Sequence, residues 1–146
     1  MKTTTLSALR QYNACKPSYD LIAAHLGKDY EGEISLETAL EVLPLKDCIW
    51  ALRTVEGGAE IAIEFAIRVA YPFGSVEWKL WADRWLSGED RSIEATHTAA
   101  RAAYATHTAA HAATAAYYAA DAATHAAKDK PTELARQTEI LKELLQ

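Results

Sequence analysis

Residues 95–127 read ATHTAARAAYATHTAAHAATAAYYAADAATHAA, a stretch of 33 residues that contains 18 alanines, two formally charged side chains and no glycine or proline. Alanine has the highest helix propensity of all residues, and no helix breaker interrupts the run. A disordered low-complexity segment is the alternative, but a breaker-free alanine run forms a helix once another part of the chain packs against it. The stretch therefore predicts one long helix, about 50 Å long if unbroken.

One face of this helix is predicted to consist of methyl groups. Positions spaced by four and three residues are all alanine except Thr106, and they are 95, 99, 102, 106, 109, 113, 116, 120, 123 and 127. A repeat near 3.5 residues favours close packing against another helix. Because methyl groups bury little area, bulky residues are expected to pack against them. Two upstream helices supply bulky side chains at helical spacing, namely Ile61, Phe65 and Val69, and then Trp78, Trp81 and Trp85.

The tryptophan series has a second interpretation as a platform on which a ligand stacks. Core packing is the favoured interpretation, because tryptophan buries a large apolar area.

The opposite face of the alanine-rich helix is polar but almost uncharged. An aromatic residue recurs there every seven residues, at His97, Tyr104, His111, Tyr118 and His125. It is flanked by further polar or aromatic side chains, namely Thr96, Arg101, His107, Thr108, Thr114, Tyr117, Asp121 and Thr124. A solvated helix face normally carries Lys and Glu in i, i+4 pairs, and these are absent here. We therefore expect this face to contact another part of the fold, a second copy of the chain, or a ligand.

Seven residues of this polar face are the candidate ligand-binding residues. They are His97, Arg101, Tyr104, His107, His111, Tyr118 and His125.

The rest of the chain predicts further helices and a single domain over residues 1–146. Several short helices are expected over residues 5–90, the alanine-rich helix over 92–128 and a C-terminal helix over 132–146. Ser35, Asp47 and Ser75 are the predicted N-caps within the first region, and Asp90 or Ser92 is the predicted entry to the long helix. Nothing alternates like a β-strand. The predicted class is all-α, as a multi-helix orthogonal bundle or a solenoid-like array with one long alanine-rich helix.

Charge and composition exclude several classes of function. The formal net charge is −5 and no basic run is present, which argues against nonspecific nucleic-acid binding. The two cysteines, Cys15 and Cys48, form neither a disulfide framework nor a metal pattern. Neither a signal peptide nor a membrane span is expected, so the predicted location is the cytoplasm, or the host cytoplasm if the protein is phage-encoded.

Metal binding and catalysis are weakly supported by the histidines. His107 and His111 have the spacing at which two imidazoles share a metal, but the zinc-protease pattern needs Glu after the first His, and here Thr108 follows. Asp121 and His125 are also four apart, yet no Ser or Cys nucleophile is locally paired with them. We therefore predict no catalytic residue, no metal site and no cofactor.

Nucleotide recognition fits the polar face better. Tyr and His rings stack on bases, and Thr hydroxyls and the guanidinium of Arg101 bind phosphate or ribose. No P-loop accompanies Gly57 and Gly58, so any phosphate contact is expected from side chains and helix N-termini. An ice-binding face is disfavoured, because the threonines keep no single interval.

The order of features resembles a known family. The chain carries ACKPSYDLIAAHLG, then DCIWALRTV, AIEFAIRVAYP, EWKLWADRWLSGE and finally the alanine-rich run. This order is similar to the phage and bacterial immunity-protein family with an alanine-rich helical repeat, and the matching residues are Trp50, Ala51, Leu52, Arg53, Trp85, Gly88 and Glu89. The resemblance implies an all-helical, non-catalytic binding protein and carries over no catalytic residue.

Three functions stay open on the sequence. The first is a non-catalytic binding protein of phage–bacterial conflict, of immunity or anti-defence type, that binds a host defence protein or sequesters a nucleotide-derived immune signal. The second is a structural helical protein without a small-molecule ligand, and the third is a histidine-dependent metal-binding protein. Self-association into a homo-oligomer is also expected, because a long uncharged helix is difficult to cover within 146 residues.

Overall fold

The computed structural model describes residues 2–91 and 109–146, except for the side chains of residues 109–112. The chain is all-α, as predicted. The described helices are α1 (Leu6–Gln11), α2 (Lys16–Leu26), α3 (Leu36–Val42), α4 (Leu45–Ala51), α5 (Gly58–Ala70), α6 (Val76–Ser87), α7 (Ala109–Ala126) and α8 (Lys130–Leu145). Short 3₁₀ segments follow α4 at Leu52–Thr54 and α5 at Tyr71–Phe73.

The helix starts match the predicted caps at two of three positions. The hydroxyl oxygens of Ser35 and Ser75 accept hydrogen bonds from the backbone N–H groups of Thr38 and Trp78. The prediction for Asp47 was wrong, because α4 already begins at Leu45, directly after Pro44. Asp47 lies in the first turn of that helix, where a carboxylate interacts favourably with the helix dipole without capping it.

A short antiparallel strand pair joins the N-terminus to the middle of the chain. The strands are β1 (Thr3–Thr4) and β2 (Ile34–Ser35), with Thr3 opposite Ser35 and Thr4 opposite Ile34. The sequence predicts no strand, because two-residue strands are too short to show a period-two pattern.

Helix α5 lies at the centre of the bundle and packs most extensively against α7. The predicted methyl face of the alanine-rich helix is buried there, within the described part of that helix, at Ala113, Ala116, Ala120 and Ala123. In the same core lie the predicted bulky partners on α5, namely Ile61, Phe65 and Val69. Small side chains on α7 therefore accommodate large ones on α5.

The tryptophans of α6 pack differently from the prediction. Trp85 is buried with Ala82 and with Ile67 of α5, and Trp78 and Trp81 are half-buried against this second cluster. Within the described residues, these rings belong to a cluster separate from the one that holds the alanine face. The sequence could not show this, because α5 is apolar on more than one side.

The connection from α4 to α5 requires a glycine. At Gly58 an added Cβ would overlap the backbone oxygen of Leu52, so only glycine allows the tight passage from α4 to α5. In α8, Leu141 and Leu145 are buried, whereas Leu134, seven residues before Leu141, is 46% exposed. None of the described helices is sufficiently long and apolar to cross a membrane.

Candidate functional site

A cleft lies between α4 with its 3₁₀ extension and the polar face of α7. Its volume is about 350 Å³. Its walls include Lys46, Trp50 and Arg53 from the first segment and Thr114, Tyr117 and Tyr118 from α7. Cys15 and Asp47 line the same cleft. We call it the first cleft.

Arg53 is held in the first cleft by Trp50. Its guanidinium carbon lies 4.5 Å from the centroid of the Trp50 ring, and its Nε donates to the Trp50 backbone oxygen at 3.0 Å. The Nη2 atom lies 3.5 Å from Thr114 Oγ1, across the cleft on α7. Partial burial lowers the pKa of Arg53, but a guanidinium stays protonated in proteins. The cleft therefore contains a fixed cation in a defined orientation.

Two tyrosine rings of α7 line the same cleft as this cation. Tyr117 and Tyr118 are edge to face, with ring centroids 5.4 Å apart and an interplanar angle of 75°. Tyr117 is 38% exposed and Tyr118 is 63% exposed, so both rings retain surface that a planar ligand can cover. Exposed aromatic rings beside an arginine are the elements with which proteins stack nucleic-acid bases.

The electrostatics of the first cleft favour an anion. Neither Lys46 nor Arg53 forms an ion pair with any residue that the structure describes. Asp47 is the acidic residue of the lining, and its Oδ2 accepts a hydrogen bond from Ser18 Oγ at 2.6 Å. Among the described lining residues there are two cations and one carboxylate, so this part of the lining is net positive although the chain as a whole has a net charge of −5.

A second cleft adjoins the first and shares Lys46 and Tyr117 with it. Its volume is about 470 Å³, and it lies between the start of α4, the C-terminal half of α7 and α8. Ile49 and Leu134 give it apolar surface, while Asp121, Thr124 and Thr138 give it hydrogen-bonding groups.

Gln137 also lines the second cleft, and its side chain is fully buried. Its Oε1 atom has no hydrogen-bond donor within the residues that the structure describes. An unsatisfied buried acceptor costs about 1–3 kcal/mol, so this oxygen lowers the stability of the fold and is not itself open to the cleft.

Three polar side chains are hydrogen-bonded in series beside the first cleft. Cys15 Sγ donates to Ser18 Oγ at 3.1 Å, and Ser18 donates in turn to Asp47. No histidine lines either cleft in the described part of the chain, so the thiol of Cys15 has no imidazole base there. Within that same part, no three His, Cys, Asp or Glu side chains are grouped so that they could hold a metal ion.

The comparisons with known proteins give no relative. No protein-family model, no curated protein and no solved structure matches the chain. The geometry of the clefts is therefore the basis for any functional conclusion.

Of the predicted site residues whose side chains the structure describes, one lines a cleft and one does not. Tyr118 lines the first cleft. His125 is exposed on α7, where its Nδ1 lies 2.8 Å from the backbone oxygen of Asp121 and 3.6 Å from the Asp121 carboxylate, and it lines neither cleft. His111 belongs to α7, but its side chain lies outside the described residues. Four further predicted residues also lie outside them, namely His97, Arg101, Tyr104 and His107.

Sequence reasoning missed the α4 wall of the first cleft. In the sequence, Trp50 and Arg53 stand out only through the family resemblance, and nothing distinguishes Lys46 from other lysines. A signal existed, because Trp50 and Arg53 are three residues apart and therefore share a helix face. Their position opposite Thr114, 61 residues later, required the tertiary structure.

Proposed function

We propose that this chain is a non-catalytic binding protein that holds a nucleotide-like anion in the first cleft. The observation that carries the proposal is the position of Arg53, which is stacked on Trp50, lies 3.5 Å from Thr114 and lines the same cleft as two exposed tyrosine rings. A phosphate binds the guanidinium, and a base stacks on the ring of Tyr117 or Tyr118.

The biological role that fits this site is sequestration of a nucleotide-derived signal in phage–bacterial conflict. The resemblance to the immunity-protein family supports this role, and the absence of a histidine from the lining of either cleft, within the described residues, supports binding without turnover. A protein of this kind acts by lowering the free concentration of its ligand, so it requires affinity rather than rate acceleration.

The first test is binding of a nucleotide panel to the full chain. AMP, GMP, NAD and cyclic di-GMP are titrated by isothermal calorimetry, and thermal unfolding is followed at saturating ligand. At least one nucleotide is expected to bind and to raise Tm, because a ligand that binds the native state stabilises it. Chromatography of the recovered ligand after incubation is expected to show it unchanged.

The matched variants are Arg53→Gln and Arg91→Gln. Arg91 lies over Trp85 at 4.8 Å and its Nε donates to the Trp85 backbone oxygen at 3.2 Å, so it repeats the local geometry of Arg53 outside both clefts. Arg53→Gln is expected to weaken nucleotide binding about tenfold or more, and Arg91→Gln to leave it unchanged. Equal binding by both variants, or no binding of any nucleotide to the folded wild type, would contradict the proposal.

A second candidate is a structural protein that associates with its own copies. The observation in its favour is exposed apolar surface at the start of α6, where Phe73, Val76 and Leu80 are 49%, 71% and 61% exposed. Sedimentation equilibrium of the wild type and of Leu80→Glu tests it. An oligomer that dissociates in the variant supports this candidate, and a monomeric wild type at micromolar concentration contradicts it.

A further inference from the structure

We propose that the two clefts together bind a dinucleotide, with one base on each side of Tyr117 and the linking phosphate at Lys46. This inference rests on the proposed function and names the class of ligand. It starts from the fact that Tyr117 and Lys46 line both clefts, whereas every other lining residue belongs to one of the two.

The size of each cleft fits one base with its sugar. The volumes of about 350 and 470 Å³ lie at the lower end of the range of about 300–1,000 Å³ that small-molecule sites occupy. A mononucleotide fills one cleft and leaves the other empty. A ligand with two bases fills both clefts and then lies along the surface of α7 from Thr114 to Thr124.

Lys46 is placed for the phosphate between the two bases. Its side chain is exposed, and it forms no ion pair with the residues that the structure describes. An ammonium on a flexible stem binds phosphate as a point charge, so Lys46 reaches a linker that lies at the boundary of the clefts. Arg53, which lies in the first cleft alone, is then available to a terminal phosphate or to the first base.

The second cleft contains groups suited to a base. Ile49 and Leu134 provide apolar surface for a ring, and the Tyr117 ring borders it from the side of the first cleft. The Asp121 carboxylate and the Thr124 hydroxyl line this cleft and offer acceptors for a ring N–H or an exocyclic amine. Purines carry such donors at their edges.

The test compares ligands of about equal charge that differ in the number of bases. ADP is compared with pApA, and GDP with pGpG, by calorimetric titration of the full chain. At least one dinucleotide is expected to bind about tenfold or more tightly than its one-base counterpart, which is the effect of one additional stacked base.

Variants then separate the two clefts. Leu134→Glu places a carboxylate in the second cleft at an exposed position, and it is expected to reduce dinucleotide affinity to the level of the one-base ligand while leaving that ligand unaffected. Leu21→Glu is the matched control, because Leu21 is 51% exposed on α2 and lines neither cleft. Arg53→Gln is expected to weaken both kinds of ligand.

The outcomes distinguish this inference from the proposed function. Equal affinities for one-base and two-base ligands, with both weakened by Arg53→Gln, overturn the dinucleotide inference and leave the proposed function standing. Full dinucleotide affinity in Leu134→Glu also overturns the inference. Failure of all four ligands to bind the folded chain overturns both.

Discussion

Gln137 on α8 donates a hydrogen bond from Nε2 to the backbone oxygen of Ala120 on α7, at a distance of 3.1 Å. The same nitrogen lies 3.1 Å from Thr124 Oγ1 and 2.8 Å from Glu133 Oε1. The side chain is fully buried, so these bonds connect the alanine-rich helix to the C-terminal helix where water is excluded. This contact also fixes the wall that α8 contributes to the second cleft.

Gln137→Leu is therefore expected to destabilise the fold by about 2 kcal/mol, because it removes the buried hydrogen bonds that Nε2 donates to Ala120 and to the charged carboxylate of Glu133. The measurement is the urea midpoint of unfolding followed by circular dichroism. Gln11→Leu makes the same chemical change at an exposed position of α1 and is expected to have little effect. Equal midpoints for the two variants would show that the buried network contributes nothing.

The ionisation of Glu133 makes the free energy of unfolding depend on pH in the acid range. Arg136 donates from Nε and Nη2 to its two carboxylate oxygens at 2.8 and 2.7 Å. These hydrogen bonds lower the pKa of Glu133, against the opposing effect of burial and with a further contribution from Gln137. The pKa of Glu133 in the folded state is therefore below its unfolded value of about 4.3. The stabilisation from ionised Glu133 is complete above the unfolded pKa and is lost as pH falls through the folded pKa.

Glu133→Gln is expected to cost about 1–2 kcal/mol at pH 7 and to flatten the decline of unfolding free energy between about pH 5 and pH 3. Urea unfolding at a series of pH values measures both effects. Glu60→Gln is the control, since Glu60 is exposed on α5. An unchanged pH slope in Glu133→Gln would contradict the assignment.

The two cysteines are expected to react very differently with thiol reagents. Cys48 is fully buried, and desolvation, with a smaller effect of Asp47, raises its pKa to about 12. Its thiol therefore stays protonated and inaccessible at pH 8, whereas Cys15 is exposed. Ellman's reagent should titrate one thiol in the native protein and two in denaturant, and Cys15→Ser should remove the fast reaction. Two fast thiols would contradict the buried position of Cys48.

The methyl face of α7 is expected to reject larger side chains. Ala116 is fully buried in the main core, which also contains Phe65, so Ala116→Leu forces α5 and α7 apart and should cost about 1–3 kcal/mol. Ala122→Leu is the control on the exposed side of the same helix. Thermal unfolding monitored at 222 nm gives the comparison, and an unchanged Tm in Ala116→Leu would refute tight α5–α7 packing.

Much of the local structure was predictable because it depends on neighbours in the sequence. Ser35 and Ser75 cap their helices as expected, since a hydroxyl before a helix satisfies the free N–H groups of its first turn. The prediction of Asp47 as an N-cap was wrong because an acidic residue is favourable both as a cap and within the first turn of a helix. Asp129 caps α8 through Thr132, which the expected start at residue 132 did not anticipate.

The candidate site was only half predictable. The uncharged polar face of the alanine-rich helix predicts that something contacts it, and the structure places one of its predicted residues, Tyr118, in the lining of the first cleft. Which residues lie opposite depends on how α4 and α7 approach each other. No local pattern encodes that approach, and Lys46 resembles an ordinary exposed lysine when read along the chain.

The sequence by itself determined that the chain is helical and that residues 109–126 have one methyl side and one polar side, because propensity and spacing act over a few residues. The tertiary structure alone decided what each side meets. The methyl side packs on α5, and the polar side lies across a cleft from Arg53 and Trp50. The reason is that burial of apolar surface is favourable with any bulky partner of suitable shape. Whether the methyl side packs on α5 or on α6 therefore depends on the packing of the whole chain.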